Sequence, residues 1–208
     1  MTMKRKTRIG LLGGTFNPIH LGHLLIARDA MEQLHLDRVK FIPAALPPHK
    51  PLAGNVSAAH RLRMTRLAVR GEPGLEVDDI EIRRGGRSYS VETVAELKRR
   101  HPEAEFYFII GADSLEELHQ WYEIGRLTRL CVFAVLARPG CKLATPAGLR
   151  IRRRVVRGHL CEIASRDIRD RLAGGRSIRW LVPENVLRYI QRQKLYQGKE
   201  LRSSKLAR

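Results

Sequence analysis

The sequence predicts an α/β fold: an open parallel sheet covered by helices on both faces. Three observations predict it. Short apolar runs alternate with longer segments of helical spacing, the order that joins parallel strands by helical crossovers. The run "EFYFIIG", residues 105–111, is apolar almost throughout, as in strands buried on both faces. The first apolar run, "RIGLLG" at 8–13, leads through a glycine pair into a helical pattern, and open sheets of this kind bind ligands at the carboxyl ends of their strands.

The elements follow in order. After the first strand, "HLGHLLIARDAMEQLH" at 20–35 places Leu24, Ala27, Met31 and Leu34 on one helical stripe. "VKFIPA" at 39–44 is strand-like and stopped by Pro43, and "ALPPHKPLAGNV" at 45–56 is a Pro/Gly-rich loop. Ser57 is placed to cap the helix "AAHRLRMTRLAV" at 58–69. "LEVDDIEI" at 75–82 reads as a strand, followed by the polar turn "RRGGRSY" and a helix "VETVAELKRRH" at 91–101 with Ser90 as its N-cap. Beyond the buried strand, "DSLEELHQW" at 113–121 is helical and "RLCVFAVLAR" at 129–138 is a strand ended by "RPG". The last 70 or so residues are less regular. They hold a short helix, "RDIRDRLAGG", stopped by Gly174 and Gly175, and a final helix, "VPENVLRYIQRQKL", with Pro183 near its start.

A length of 208 residues with 43% hydrophobic content suits one domain with a real core. We expect it to span 1–197, with a helical C-terminal portion at about 163–196 and a basic tail at 198–208. No apolar run reaches the roughly 18–20 residues that span a bilayer, and "IGLLGG" is too short for a signal-peptide core, which points to the cytoplasm. Cys131, Cys141 and Cys161 fit no C-x-x-C spacing, so reduced, packed thiols are expected. The formal net charge is +18, from 39 Lys and Arg against 21 acids. Such a field attracts phosphorylated ligands and nucleic acid alike. The clusters at Arg150–Arg157 and in the tail from Lys199 to Arg208 lack interleaved aromatics, so they read first as solvated basic faces.

The most informative stretch is "GGTFNPIHLGH", Gly13 to His23. Its glycines let a ligand come near the backbone, and the helix that follows offers unpaired N–H groups to a phosphate. His20 and His23 are three apart and share a helix face. Aimed at one phosphate chain, two imidazoles stabilise charge that builds up in phosphoryl or nucleotidyl transfer. A glycine turn with two incidental polar residues is the plainer alternative, and a two-histidine metal site a third. The stretch is neither G-x-G-x-x-G nor a P-loop, which argues against a dehydrogenase and a Walker-type ATPase.

Here a resemblance becomes specific. "GGTFNPIHLGH" resembles the signature of the nucleotidylyltransferase superfamily, whose core H-x-G-H is His20, Gly22 and His23. "PPHK" (47–50), "SYSVETV" (88–94), "FIIGADS" (108–114), "WY" (121–122), "ARPG" (137–140) and "LVPENVLRYIQRQKLY" (181–196) follow in the order of the bacterial nicotinate-nucleotide adenylyltransferases. The likeness runs from Arg8 to Tyr196 and implies a Rossmann-like sheet of the nucleotidyltransferase type.

The resemblance implies transfer of AMP from ATP to nicotinate mononucleotide, giving deamido-NAD and pyrophosphate, by direct in-line attack. Sister enzymes using nicotinamide mononucleotide or phosphopantetheine are the nearest alternatives, and a nucleic-acid-binding protein on this fold a distant one. The family's Mg²⁺ is held mainly by ATP phosphates and water. By similarity, His20 and His23 contact the ATP phosphates and are the catalytic pair. Gly13, Gly14, Thr15 and Phe16 line the nucleotide cleft, and Lys50 clamps phosphate unless it is a solvated loop charge. Gly111 and Asp113 meet the ribose, with a helix cap as the competing role for Asp113. Arg138 makes a nucleotide contact. Ser88, Tyr89, Thr93 and Trp121 surround the nicotinate end, Trp121 by stacking unless it is an ordinary core aromatic. The family's phosphate-binding signature ending in "IR" is here "IASRDIR", 163–169, carrying Ser165, Ile168 and Arg169 to ATP, with Ala164 and Arg166 replacing hydroxyls. Asn17 stands where the family often has Asp, and is not assigned to metal. We expect no membrane partner and no specific nucleic acid.

Overall fold

Strand β1 (Arg8–Gly14) forms the middle of a six-stranded, all-parallel sheet of order β3-β2-β1-β4-β5-β6. The other strands are β2 (Arg38–Pro43), β3 (Leu75–Val77), β4 (Glu105–Gly111), β5 (Val132–Ala137) and β6 (Arg153–Arg157). The helices are α1 (Leu21–Gln33), α2 (Ala58–Ala68), α3 (Ile80–Arg84), α4 (Ser90–Arg100), α5 (Ala112–Glu116), α6 (Ile124–Leu130), α7 (Ser165–Ala173) and α8 (Glu184–Arg192). These come from a computed structural model that describes residues 5–47, 56–137, 143–159 and 161–197. The expectations for Lys50, Arg138, Cys141 and the basic tail lie outside the described residues.

Alternation along the strands sends side chains into two cores, one on each face of the sheet. Ile9 and Leu11 of β1 join Phe106 and Phe108 of β4, Phe133 of β5 and Val91, Val94 and Leu97 of α4 on one face. Leu12 points the other way, toward Ala27 and Ala30 of α1, Met64 and Ala68 of α2, Ile168 of α7 and Val186 and Ile190 of α8. The predicted two-sided sheet is the structure observed, and no helix among the described residues is long and apolar enough to cross a membrane.

Several boundaries differ from expectation. "LEVDDIEI" is not one strand: β3 stops at Val77, and Ile80–Arg84 is helical. Asp78 causes the break, because its carboxylate accepts the Ile80 N–H at 3.2 Å and redirects the chain. Ser90 is the first helical residue of α4, and Tyr89 occupies the cap position without a side-chain hydrogen bond. "DSLEELHQW" divides into α5 and a single 3₁₀ turn, Leu118–Gln120. Arg129 and Leu130 finish α6 instead of opening β5.

The sixth strand was not expected. β6 lies inside the basic cluster Arg150–Arg157, where a solvated face was read. It pairs with β5 and buries only Val156 completely. As an edge strand it can carry arginines outward, and edge charge discourages pairing with another chain.

Candidate active site

The order 3-2-1-4-5-6 reverses between β1 and β4, and the crevice above that reversal is where such sheets hold nucleotides. A cavity of about 530 Å³ opens there. It is lined by Gly13, Gly14 and Thr15 after β1, by Ile110 and Gly111 of β4, and by Ser88, Tyr89 and Trp121. Gly14 is required by its neighbour. Phe16 adopts φ 48° and folds its ring back, so a Cβ on residue 14 would lie 2.9 Å from that ring. The same ring is buried and meets His23 edge-on, with centroids 5.0 Å apart. Phe16 therefore has only its backbone to offer a ligand.

His20 is the residue before α1, and His23 lies in its first turn. The two rings stack, with centroids 3.7 Å apart and planes at 27°. The His20 backbone N–H donates to His23 Nδ1 at 3.2 Å. Nδ1 is therefore unprotonated, and the proton of the neutral ring sits on Nε2, which is left to donate. Burial lowers the His20 pKa from 6.5 to about 4. His23 is held well below its ordinary value by burial and then by the neighbouring His20. Both rings are neutral at pH 7. Gly22 is small because His20 lies over it: a Cβ there would be 3.1 Å from His20 Nδ1. The His23 ring adjoins Phe16, and neither histidine lines the cavity itself; the motif meets the cavity wall at Gly13, Gly14 and Thr15.

The "IASRDIR" segment reaches the same place. Ser165 Oγ donates to the Pro18 carbonyl at 2.8 Å, so its proton is already engaged. Arg169 Nη1 donates to the Asn17 carbonyl at 2.7 Å, bringing a guanidinium beside the first motif. Ile168 is a correction: its side chain is fully buried and its N–H bonds the Ala164 carbonyl, so it packs α7 and offers ATP nothing. Arg166 points to solvent near Asp170. Asn17 is buried and accepts a hydrogen bond from the Tyr196 hydroxyl at 2.7 Å, which ties the C-terminal end of the family-like stretch to its first motif.

At the other end, Ser88, Tyr89 and Ser90 line the cavity at the start of α4. The first N–H groups of that helix have no intrahelical acceptor and carry the positive end of its dipole. Trp121 meets Phe108 edge-on at 5.8 Å with one side on the cavity, and Tyr122 packs against Tyr89 at 4.5 Å. Thr93 is a second correction. It is fully buried away from the cavity and donates to Glu81 at 2.7 Å. Asp113 is exposed in the first turn of α5, neither its cap nor part of the cavity wall, where Gly111 and Ser114 stand instead.

Two polar residues escaped the sequence reading. Glu81 is buried, lines the cavity, and has its carboxyl pushed up by burial despite hydrogen bonds from Thr93 and Ser88. It was hidden because "DIEI" looked like strand. Arg61 is fully buried. Its signal was present: with Met64, Thr65 and Ala68 it sits on the buried stripe of α2, an odd place for a cation.

A doubly wound parallel sheet with paired imidazoles at its switch point defines a nucleotide-binding α/β protein. A cytidylyltransferase-like family model matches residues 11–207. A protein from Exiguobacterium sibiricum named "Probable nicotinate-nucleotide adenylyltransferase" is 50% identical, covering 91% of this chain and 98% of its own length. One of the same name from Citrifermentans bemidjiense is 45% identical with the same coverage. The Plasmodium falciparum nicotinic acid mononucleotide adenylyltransferase, solved with NaAD, shares the fold at a TM-score of 0.75 and 20% identity, over 91% of this chain and 97% of its own. The chain thus belongs to the cytidylyltransferase-like family and, within it, to the nicotinate-nucleotide adenylyltransferases.

Proposed function

We propose that this enzyme transfers AMP from ATP to nicotinate mononucleotide, forming deamido-NAD and releasing pyrophosphate. The observation that carries the reading is one motif, Gly13 to His23, that enters the wall of a cavity bounded by a helix N-terminus and Trp121 and ends in stacked neutral imidazoles. A phosphate oxygen of the acceptor attacks the α-phosphorus as the bond to the β-phosphate oxygen breaks. That nucleophile is already anionic, so no general base is needed, and positioning with charge stabilisation supplies the rate. His23 Nε2–H and the His20 ring donate to the phosphate oxygens, and Arg169 adds charge from α7.

Imidazoles are poor ligands for a hard cation. Mg²⁺ therefore enters as part of the substrate, on ATP phosphates and water. Gly111 stands at the end of β4, in the cavity wall, for the ribose. Trp121 supplies an aromatic face for the pyridine ring. The α4 N-terminus favours a carboxylate over an amide on that ring, which supports nicotinate over nicotinamide mononucleotide.

The test is pyrophosphate release with Mg²⁺ and ATP, comparing nicotinate mononucleotide, nicotinamide mononucleotide and phosphopantetheine. We expect the first to have the highest kcat/KM, by about two- to thirtyfold for one favourable charge contact. No release above an enzyme-free control, or preference for another acceptor, overturns the proposal. The absence of a membrane partner and a cytoplasmic location are part of the same reading.

A further inference from the structure

Arg61 is among the largest fully buried side chains of the protein, and no carboxylate among the described residues pairs with it. Its guanidinium instead holds two backbone carbonyls. Nη1 donates to Thr15 O at 2.8 Å and Nη2 to Ala45 O at 3.0 Å, while buried Nε has no partner among the described residues. Thr15 follows β1 and Ala45 follows β2, so one side chain on α2 clamps the two loops that leave adjacent strands. A buried cation without an acid is costly, and its persistence calls for a counter-charge that arrives with the ligand.

The clamp also sets a peptide orientation. In a trans peptide the C=O and the following N–H point in opposite directions. With the Thr15 carbonyl drawn to Arg61, the Phe16 N–H is turned away from it. That N–H donates to no backbone carbonyl among the described residues. Phe16 holds a left-handed φ of 48°, a conformation that must be imposed on a non-glycine residue. The Ala45 N–H in turn bonds Ser88 Oγ at 2.9 Å, so the Ala45 loop has an anchor at the acceptor end that does not depend on Arg61.

We propose that Arg61 is a positioning residue for the nucleotide: it fixes the Thr15–Phe16 peptide so that the Phe16 N–H faces the ATP phosphates, and supplies a permanent positive charge behind them. This deepens the adenylyl-transfer reading and rests on it.

The test uses the full chain with Arg61→Lys and Arg61→Met. ATP affinity is measured by calorimetry without acceptor, and kcat and both KM values are measured at steady state. Lysine keeps the charge but lacks the planar fork whose two nitrogens each hold one carbonyl. We expect ATP Kd to rise at least tenfold in both variants, more in Arg61→Met, with the acceptor KM changing less than threefold. Folded variants whose ATP Kd stays within twofold of wild type overturn the proposal, as does an equal loss of affinity for both substrates, which marks a packing role. Should either variant fail to melt cooperatively, the wild-type protein decides through its Arg61 side-chain ¹⁵N signals. They should shift on adding ATP and stay in place with nicotinate mononucleotide alone, and no shift with ATP overturns the proposal. Wild-type ATP binding without transfer to nicotinate mononucleotide would instead count against the function and leave Arg61 standing.

Discussion

His20 and His23 owe their chemistry to how they are packed. Stacked and buried, they are neutral at pH 7, and His23 presents its one remaining N–H donor. Replacing His23 with Ala should lower kcat by about 10²–10³-fold, the usual loss for one transition-state donor, while circular dichroism stays native. The same packing makes the fold acid-sensitive. Because folding lowers the pKa of His20 from 6.5 to about 4, the unfolded chain binds protons in that window that the folded chain refuses. The associated stability is complete above pH 6.5 and is lost as pH falls toward 4, by at most about 3 kcal/mol for His20. Thermal melts from pH 7.5 to pH 4.5 should therefore fall more steeply for wild type than for His20→Asn. Parallel curves would contradict the assignment. Gly22→Ala tests the same packing by pushing a methyl group against the His20 ring. Activity should fall sharply, and retained turnover would show that the ring has another place to go.

At the scale of elements, the acceptor end depends on a buried network joining α3 to α4. Glu81 accepts from Thr93 at 2.7 Å and from Ser88, and Ser88 accepts from the Ala45 N–H. Thr93→Val keeps the shape but removes the donor, leaving a buried carboxyl short of a partner at a cost of about 1–3 kcal/mol. The measurable outcome is a lower melting temperature together with a raised KM for nicotinate mononucleotide. An unchanged acceptor KM would separate this network from the site. Legibility differed among elements for physical reasons. The central strands and α1, α2, α4 and α8 were readable because burial selects regular apolar spacing, and α7 because Gly174 and Gly175 mark its end. β6 was not, because an edge strand with one fully buried residue has no such pattern. Thr93 and Asp113 carried the right motif, yet Thr93 is buried against Glu81 and Asp113 is exposed outside the cavity wall.

For the whole molecule, the excess of 39 basic over 21 acidic residues gives a field that draws in anionic nucleotides. kcat/KM for ATP should fall as ionic strength rises from about 20 to about 200 mM, since screening shortens the field's reach. A flat salt response would mean that the charge serves another purpose. Part of it already has a local explanation, because the exposed Arg154 and Arg157 lie on the edge strand β6.

The sequence by itself determined the alternating α/β order, the phosphate-facing motif and the family, because these rest on local spacing and on residue types in a fixed order. Only the tertiary structure decided which motif residues meet. It stacked His20 on His23, brought Tyr196 to Asn17, sent Ile168 and Thr93 into the interior, and set Arg61 beneath two loops. Those pairings join residues distant in sequence or depend on which way a side chain is packed, and a linear pattern carries no record of either.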